Sequence, residues 1–161
     1  MRKATKAANS PYYKARMKAA ECNDILSSRE GAAEITGIER TRLARIELGS
    51  LVPYPEEVQL MADTYNAPEL MNYHCTADCP IGKQMLIKAD KDSIEQIALS
   101  AYVSLENAKV IQATIIEIAA DGIIDDSEKP KIKEILKMLD EISKMATELK
   151  IVAKKIGVKE V

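Results

Sequence analysis

Arg40, Thr41, Arg42 and Arg45 crowd one short stretch of the segment Ser27–Gly49, SSREGAAEITGIERTRLARIELG. Arginine can donate two parallel hydrogen bonds to O6 and N7 of guanine, worth roughly 1–3 kcal/mol of discrimination per good pair. Helical spacing puts Leu43 and Ile46 on the inner face of a helix from about Arg40 to Leu48. Arg40, Thr41, Arg42 and Arg45 are left on or beside its outer face. A short, basic, amphipathic helix held at a fixed angle suits the width of the DNA major groove.

Two other groups of residues have chemical potential. Cys75 and Cys79 are separated by three residues, with His74 adjacent and Cys22 elsewhere. Structural zinc takes four ligands in a tetrahedron, and a second ligand pair is missing here unless Cys22 and His74 supply it by folding. A Cys75–Cys79 disulfide is sterically conceivable but disfavoured in a reducing compartment. Thiols without a ligand, and no metal, are the expectation. The run Asp121–Glu128 carries four carboxylates, yet its glycine is second, whereas a calcium loop needs glycine at the sixth position. Helix capping accounts for that loop better. With one histidine, no nucleophile elbow and no phosphate-cradling glycine loop, neither an enzyme nor a cofactor is expected.

The elements that must carry the arginines begin at Ser27, which stands with Glu30 at capping-box spacing. Ala32, Ala33 and Ile35 give the first motif helix a small apolar face. Gly37 can take the positive φ that ends it, and Ile38 then turns inward. The stretch resembles the helix-turn-helix of the phage Cro/repressor-type family, the xenobiotic-response-element family of bacterial regulators. The matching residues are Ala33, Gly37, Ile38, Arg40, Leu43, Arg45, Ile46, Glu47 and Gly49, and the resemblance covers about Pro11 to Leu70. Gly31 and Glu39 depart from the family pattern, which has a better helix former and a small hydroxyl residue there. The resemblance implies a five-helix lambda-repressor-like domain in which Arg40, Thr41 and Arg45 read bases. Glu39 and Arg42 flank them, meeting bases or phosphate; Glu39 either accepts from a cytosine amino group or repels phosphate. Lys14, Lys18, Arg29 and Ser50 are weaker candidates for phosphate contact, which sets register rather than sequence preference. Glu47 has a structural task, pairing with a cation of its own domain.

Composition supports an all-α chain. It is 47% hydrophobic with six Tyr and no Phe or Trp, so its core is aliphatic and built with Ala and Met. The net charge of −2 divides unevenly: residues 1–54 carry +4, residues 55–82 carry −5 and residues 83–161 carry −1. Binding to nucleic acid depends on the local field rather than the total. No apolar run is long enough to span a membrane, and the basic N-terminus lacks the apolar core of a secretory signal. Three cysteines argue against a secreted disulfide framework, so a cytoplasmic location is expected.

Residues 1–10 read as a basic flexible arm, with Arg2, Lys3 and Lys6 near phosphate or in solvent. Residues 11–73 read as the DNA-binding domain. Ser10-Pro11 starts its first helix, which carries Tyr13, Met17 and Ala20 on one side and ends near Cys22. Pro55 opens a fourth helix with Val58, Met61, Ala62 and Tyr65 inward, and Pro68 a fifth through Leu70, Met71 and Tyr73. Residues 74–91 read as a linker. Residues 92–161 read as a long antiparallel helical hairpin. Its first helix is capped by Asp92 and Glu95, runs for roughly 28 residues or about 42 Å, and ends at Gly122. Ile94, Ala98, Ala101, Leu105, Ala108, Gln112, Ile115 and Ala119 form its seam. Its second helix restarts at Asp125 or Asp126, tolerates Pro130 only in its first turn, and repeats Ile132, Ile135, Leu139, Ile142, Ala146, Leu149, Ala153 and Ile156 in heptads.

Leu136, Met138, Met145 and Val152, with Leu99, Val103, Val110 and Ile116, are then left without cover. A second copy would cover them, with Ile132, Ile135, Leu139, Ile142 and Leu149 as the dimer seam; packing back onto the DNA-binding domain is the alternative cover. The expectation is a homodimeric regulator, most simply a repressor, reading double-stranded DNA. The alternative is an antitoxin-like or adaptor protein whose hairpin captures a partner, DNA binding being secondary.

Overall fold

The computed structural model describes residues 6–90, 93–119 and 125–158, and every regular element within them is helical. The chain divides into two compact units, Met1–Leu86 and Ile87–Val161. The first holds α1 (Pro11–Ala20), α2 (Arg29–Thr36), α3 (Arg40–Glu47), α4 (Pro55–Thr64), α5 (Glu69–Ala77) and the short α6 (Gly82–Met85). Its core is aliphatic: Leu26, Ala32, Ile38, Leu43, Ile46, Val58, Met61 and Leu70 are buried together with the rings of Tyr12 and Tyr65. The inward residues expected for α4, namely Val58, Met61, Ala62 and Tyr65, are all buried.

The first unit departs from the sequence reading in several places. Lys6–Asn9 form a 3₁₀ turn with Ala7 buried, so this part of the arm is folded; Arg2 and Lys3 lie outside the described residues. On α1 the buried side is Tyr12, Ala15 and Arg16, whereas Met17 is exposed. Ser10 stands at the N-cap without a side-chain cap bond, and Pro11 begins the helix as expected.

A 3₁₀ turn over Asp24–Ser27 consumes Ser27, so the cap of α2 is Ser28, whose hydroxyl accepts from the Gly31 N–H at 3.0 Å. On α2 Ile35 faces solvent and Thr36 faces the core. The Thr36 hydroxyl is satisfied there, donating to the Ala32 carbonyl at 2.7 Å and accepting from the Ile38 N–H. Finally, α5 runs on past Tyr73 to Ala77, through a stretch read as linker, because Leu70 and His74 continue one buried stripe. His74 and Cys75 are therefore helical.

Two glycines are required by close approach. A Cβ on Gly31 would stand 2.2 Å from the Ile25 carbonyl oxygen, and one on Gly82 would stand 2.1 Å from that of Cys75. Gly31, the weak helix former of the motif, lets α2 rest on the preceding turn. Gly82 does the same for α6 on α5.

The second unit contains α7 (Ile94–Ile118) and α8 (Lys129–Lys155). They are antiparallel: Lys131 pairs with Glu117 near the connection, and at the far end Lys144 pairs with Asp90, whose N–H donates to Glu148. Ser93, not Asp92, provides the described cap of α7, accepting from the Gln96 N–H; Asp92 itself lies outside the described residues. Residues 120–124 also lie outside, and with them Asp121 and the expected Gly122 cap. The Asp125 carboxylate accepts from the Ser127 and Glu128 N–H groups, capping the turn before α8, and Pro130 falls in the first turn of that helix.

The seam of α7 is rotated from the expected one. Ile97, Ser104, Ile111 and Ile118 are buried, with Ala101 and Ala108 half-buried beside them, whereas Ala98, Leu105, Gln112 and Ala119 are exposed. The two seams share Ala101 and Ala108, whereas Ile115, expected inside, is exposed. The observed neighbour column packs Ile111 and Ile118 against α8 and leaves the Gln112 amide in water, which lowers the cost of burial. On α8, Ile135 is buried against Ile111 and Ile118, with Ile132, Met138 and Ile142 packed around them.

Gly31→Ala raises intrinsic helix propensity by about 1 kcal/mol yet places a methyl on a backbone oxygen. The net result is a destabilisation of about 1–3 kcal/mol, read as a lower denaturant midpoint at unchanged m-value.

Candidate nucleic-acid interface

Three features position the outer face of α3. The first is the turn before it. Gly37 takes φ 71°, and its N–H closes α2 on the Ala33 carbonyl; Ile38 then drops into the core. The second is the end of α3, where Gly49 (φ 70°) and Ser50 donate backbone N–H groups to the Ile46 and Arg45 carbonyls in a Schellman closure.

The third is an ion cluster beneath the helix. Glu47 is 1% exposed, and its carboxylate accepts from Arg16 Nε at 2.6 Å, Arg16 Nη2 at 3.2 Å and Arg29 Nε at 2.7 Å. Arg16 Nη1 donates in turn to the Leu26 and Ser27 carbonyls. Burial works against the Arg16 charge, but the Glu47 hydrogen bonds outweigh it and hold the proton more tightly than usual. Tyr65 is buried beside the cluster, and burial, reinforced by Glu47, pushes its hydroxyl well above the ordinary range. This cluster ties α1 and the start of α2 to α3.

The outer face carries the residues expected to read DNA, and the structure sorts them by what already engages them. Thr41 and Arg45 are exposed, and among the described residues the Arg45 guanidinium makes no hydrogen bond or ion pair. Arg40 is exposed and donates to Glu30, itself exposed. Arg42 is committed to structure: Nε and Nη2 grip the Glu57 carboxylate, and the guanidinium lies 4.3 Å from the centre of the Tyr54 ring. Glu57 also accepts from the Tyr54 N–H, so these three residues join α3 to α4. The Arg42 hydrogen bond holds the Glu57 carboxyl below the usual glutamate range.

Glu39 is the N-cap of α3. Its two oxygens accept from the Thr41 and Arg42 N–H groups at 2.8 and 2.9 Å, and these bonds lower its pKa. A carboxylate here replaces a hydroxyl cap and matches the positive end of the helix dipole. Lys14 and Lys18 are exposed on α1. Arg29 is half-buried on Glu47, and the Ser50 hydroxyl donates to the Arg45 carbonyl.

Glu47 pairs with cations of its own domain, as its type and place suggest, and its main partner is Arg16, which the motif itself does not name. The signal was present: Arg16 lies on the Tyr12–Ala15 stripe of α1 and Glu47 on the Leu43–Ile46 stripe of α3. A charge on an apolar stripe demands an opposite charge on the facing element. Glu30, Tyr54 and Glu57 carried no such pattern.

Cys22, Cys75 and Cys79 are free thiols, Cys22 exposed and the others half-buried. Among the described residues no three His, Cys, Asp or Glu side chains gather closely enough to hold a metal ion. No described helix is long and apolar enough to cross a membrane. No family model, curated protein or solved structure matches the chain.

Glu47→Ala leaves the Arg16 guanidinium buried without its partner and is expected to cost about 3–5 kcal/mol of stability, measured by chemical denaturation. The depressed Glu57 carboxyl contributes stability above the unfolded glutamate value, about 4.3, and that contribution is lost as pH falls through its lower folded value. Glu57→Gln therefore flattens the acid limb of a stability–pH curve and leaves the slope above pH of about 6 unchanged.

Proposed function

We propose that this chain is a sequence-specific DNA-binding regulator of transcription, built on a Cro/repressor-type helix-turn-helix and acting as a homodimer through its C-terminal helices. The observation that carries this reading is the outer face of α3, where Thr41 and Arg45 stand exposed while Leu43, Ile46 and Glu47 anchor the helix from below. Arg45 follows Thr41 by one helical turn, so both point into the same groove. Arg40 joins them by exchanging Glu30 for a base or phosphate acceptor. Lys14 and Lys18 supply phosphate contacts. Because Arg42 and Arg29 serve Glu57 and Glu47, their main contribution is to hold the reading helix in place.

A dimer places two reading helices one DNA turn apart, roughly 34 Å, and favours a palindromic site. Blocking polymerase at such a site represses the neighbouring gene. A second reading, a protein-interaction module, is favoured by the apolar residues exposed on α7. Salt separates the two, because counterion release weakens DNA binding by a log–log slope of about −0.9 per neutralised phosphate, and apolar association lacks that dependence.

Selection of bound fragments from random duplexes tests the proposal directly. The expected product is an enriched two-fold symmetric sequence; recovery of unbiased sequence removes the regulatory role. Arg45→Ala is expected to lose about 1–3 kcal/mol of discrimination at one base pair per half-site at unchanged helical content, read by competition footprinting. Glu39→Ser keeps a capping oxygen and removes an anion, so DNA affinity should rise several-fold; weaker binding with altered preference would assign the carboxylate to a base instead.

A further inference from the structure

The 25-residue helix α7 carries only four charged side chains, and within its own unit α8 covers one side of it. Its charges are Glu95, Glu106, Lys109 and Glu117. Its buried face is the Ile97–Ser104–Ile111–Ile118 column, of which Ile111 and Ile118 pack on α8. On the opposite face lies a second line at spacings of three and four: Leu99, Tyr102, Glu106, Lys109, Ala113 and Ile116. Leu99 and Tyr102 are each 69% exposed and Ile116 is 63% exposed. Helices apolar on opposite sides are interior elements of bundles.

The spacings of this second line are palindromic about a point between Glu106 and Lys109. Turned antiparallel on a second copy, Leu99 meets Ile116, Tyr102 meets the small Ala113, and Glu106 meets Lys109, each contact occurring twice. Large side chains then face apolar or small ones, and each central charge faces its opposite. A parallel arrangement would set Glu106 on Glu106 and Lys109 on Lys109, so charge selects the antiparallel one.

We infer that α7 is the central helix of the homodimer, packed antiparallel on its own copy through Leu99, Tyr102, Glu106, Lys109, Ala113 and Ile116, with α8 outside. This rests on the homodimer in the function proposed above and specifies its interface. It moves the two-fold contact away from Ile132, Ile135 and Ile142 on α8, which pack within the chain. In this register the two N-termini of α7 are about 40 Å apart at 1.5 Å per residue.

Glu106 and Lys109 also pair within the helix, at 3.8 Å, so a simple charge reversal does not separate the two contacts. Mixing does. E106K and K109E each set like charges together both within a chain and between identical chains. An E106K chain beside a K109E chain has opposite charges across the interface, while its internal pairs remain repulsive. Sedimentation of the full chain without DNA, with helicity followed by circular dichroism, reads the result. Wild type should be a dimer, each single variant about tenfold weaker in association, and the equimolar mixture a heterodimer near wild-type strength. Ile116→Asp should give a monomer of unchanged helicity.

A mixture no tighter than its components, with wild type dimeric, overturns the α7 interface but leaves the homodimer standing. A monomeric wild type overturns both. Neither outcome touches base reading by α3, which fragment selection tests separately.

Discussion

The Glu47 carboxylate, buried and gripped by Arg16 and Arg29, is the contact on which the first unit depends. An isolated anion in an apolar core is costly, and a pair is tolerable only when hydrogen bonds satisfy its remaining atoms. Here they are satisfied: Arg16 spends its other donors on the Leu26 and Ser27 carbonyls. The same requirement gives the cluster directional value. Apolar side chains under α3 can slide or repack, but a bidentate guanidinium–carboxylate contact has one good geometry. The angle of α3 relative to α1 follows from that geometry.

A division of labour among the arginines follows. Arg16, Arg29 and Arg42 are fastened to Glu47 and Glu57, and the last also stacks on Tyr54. Arg40 is held loosely at the surface, and Arg45 is free of ion pairs among the described residues. Exposed pairs contribute little because water and salt screen them, so exchanging Glu30 for another acceptor costs Arg40 little. Glu39 adds an anion to the same surface for a local reason, the capping of two backbone donors.

The second unit follows a different rule. Among the described residues no buried ion pair sets its register near the connection, where Ile111, Ile118 and Ile135 meet. At its far end Glu148 is buried and accepts from the Asp90 N–H, closing the entry of the chain onto α8. Two helices bury one side each, and α7 has apolar residues to spare on the other.

All-helical structure, the left-handed turn at Gly37, the inward Leu43 and Ile46, and the buried stripe of α4 were all legible in the residues. Each depends on local steric rules or on a strong period within one segment. The partner of Glu47, the burial of Arg16, the start of α2 at Ser28 and the choice between two columns of α7 were not. These depend on which residue of a distant segment arrives opposite, and on comparing burial costs between near-equivalent registers. Spacing along one helix contains neither quantity; only packing decides them.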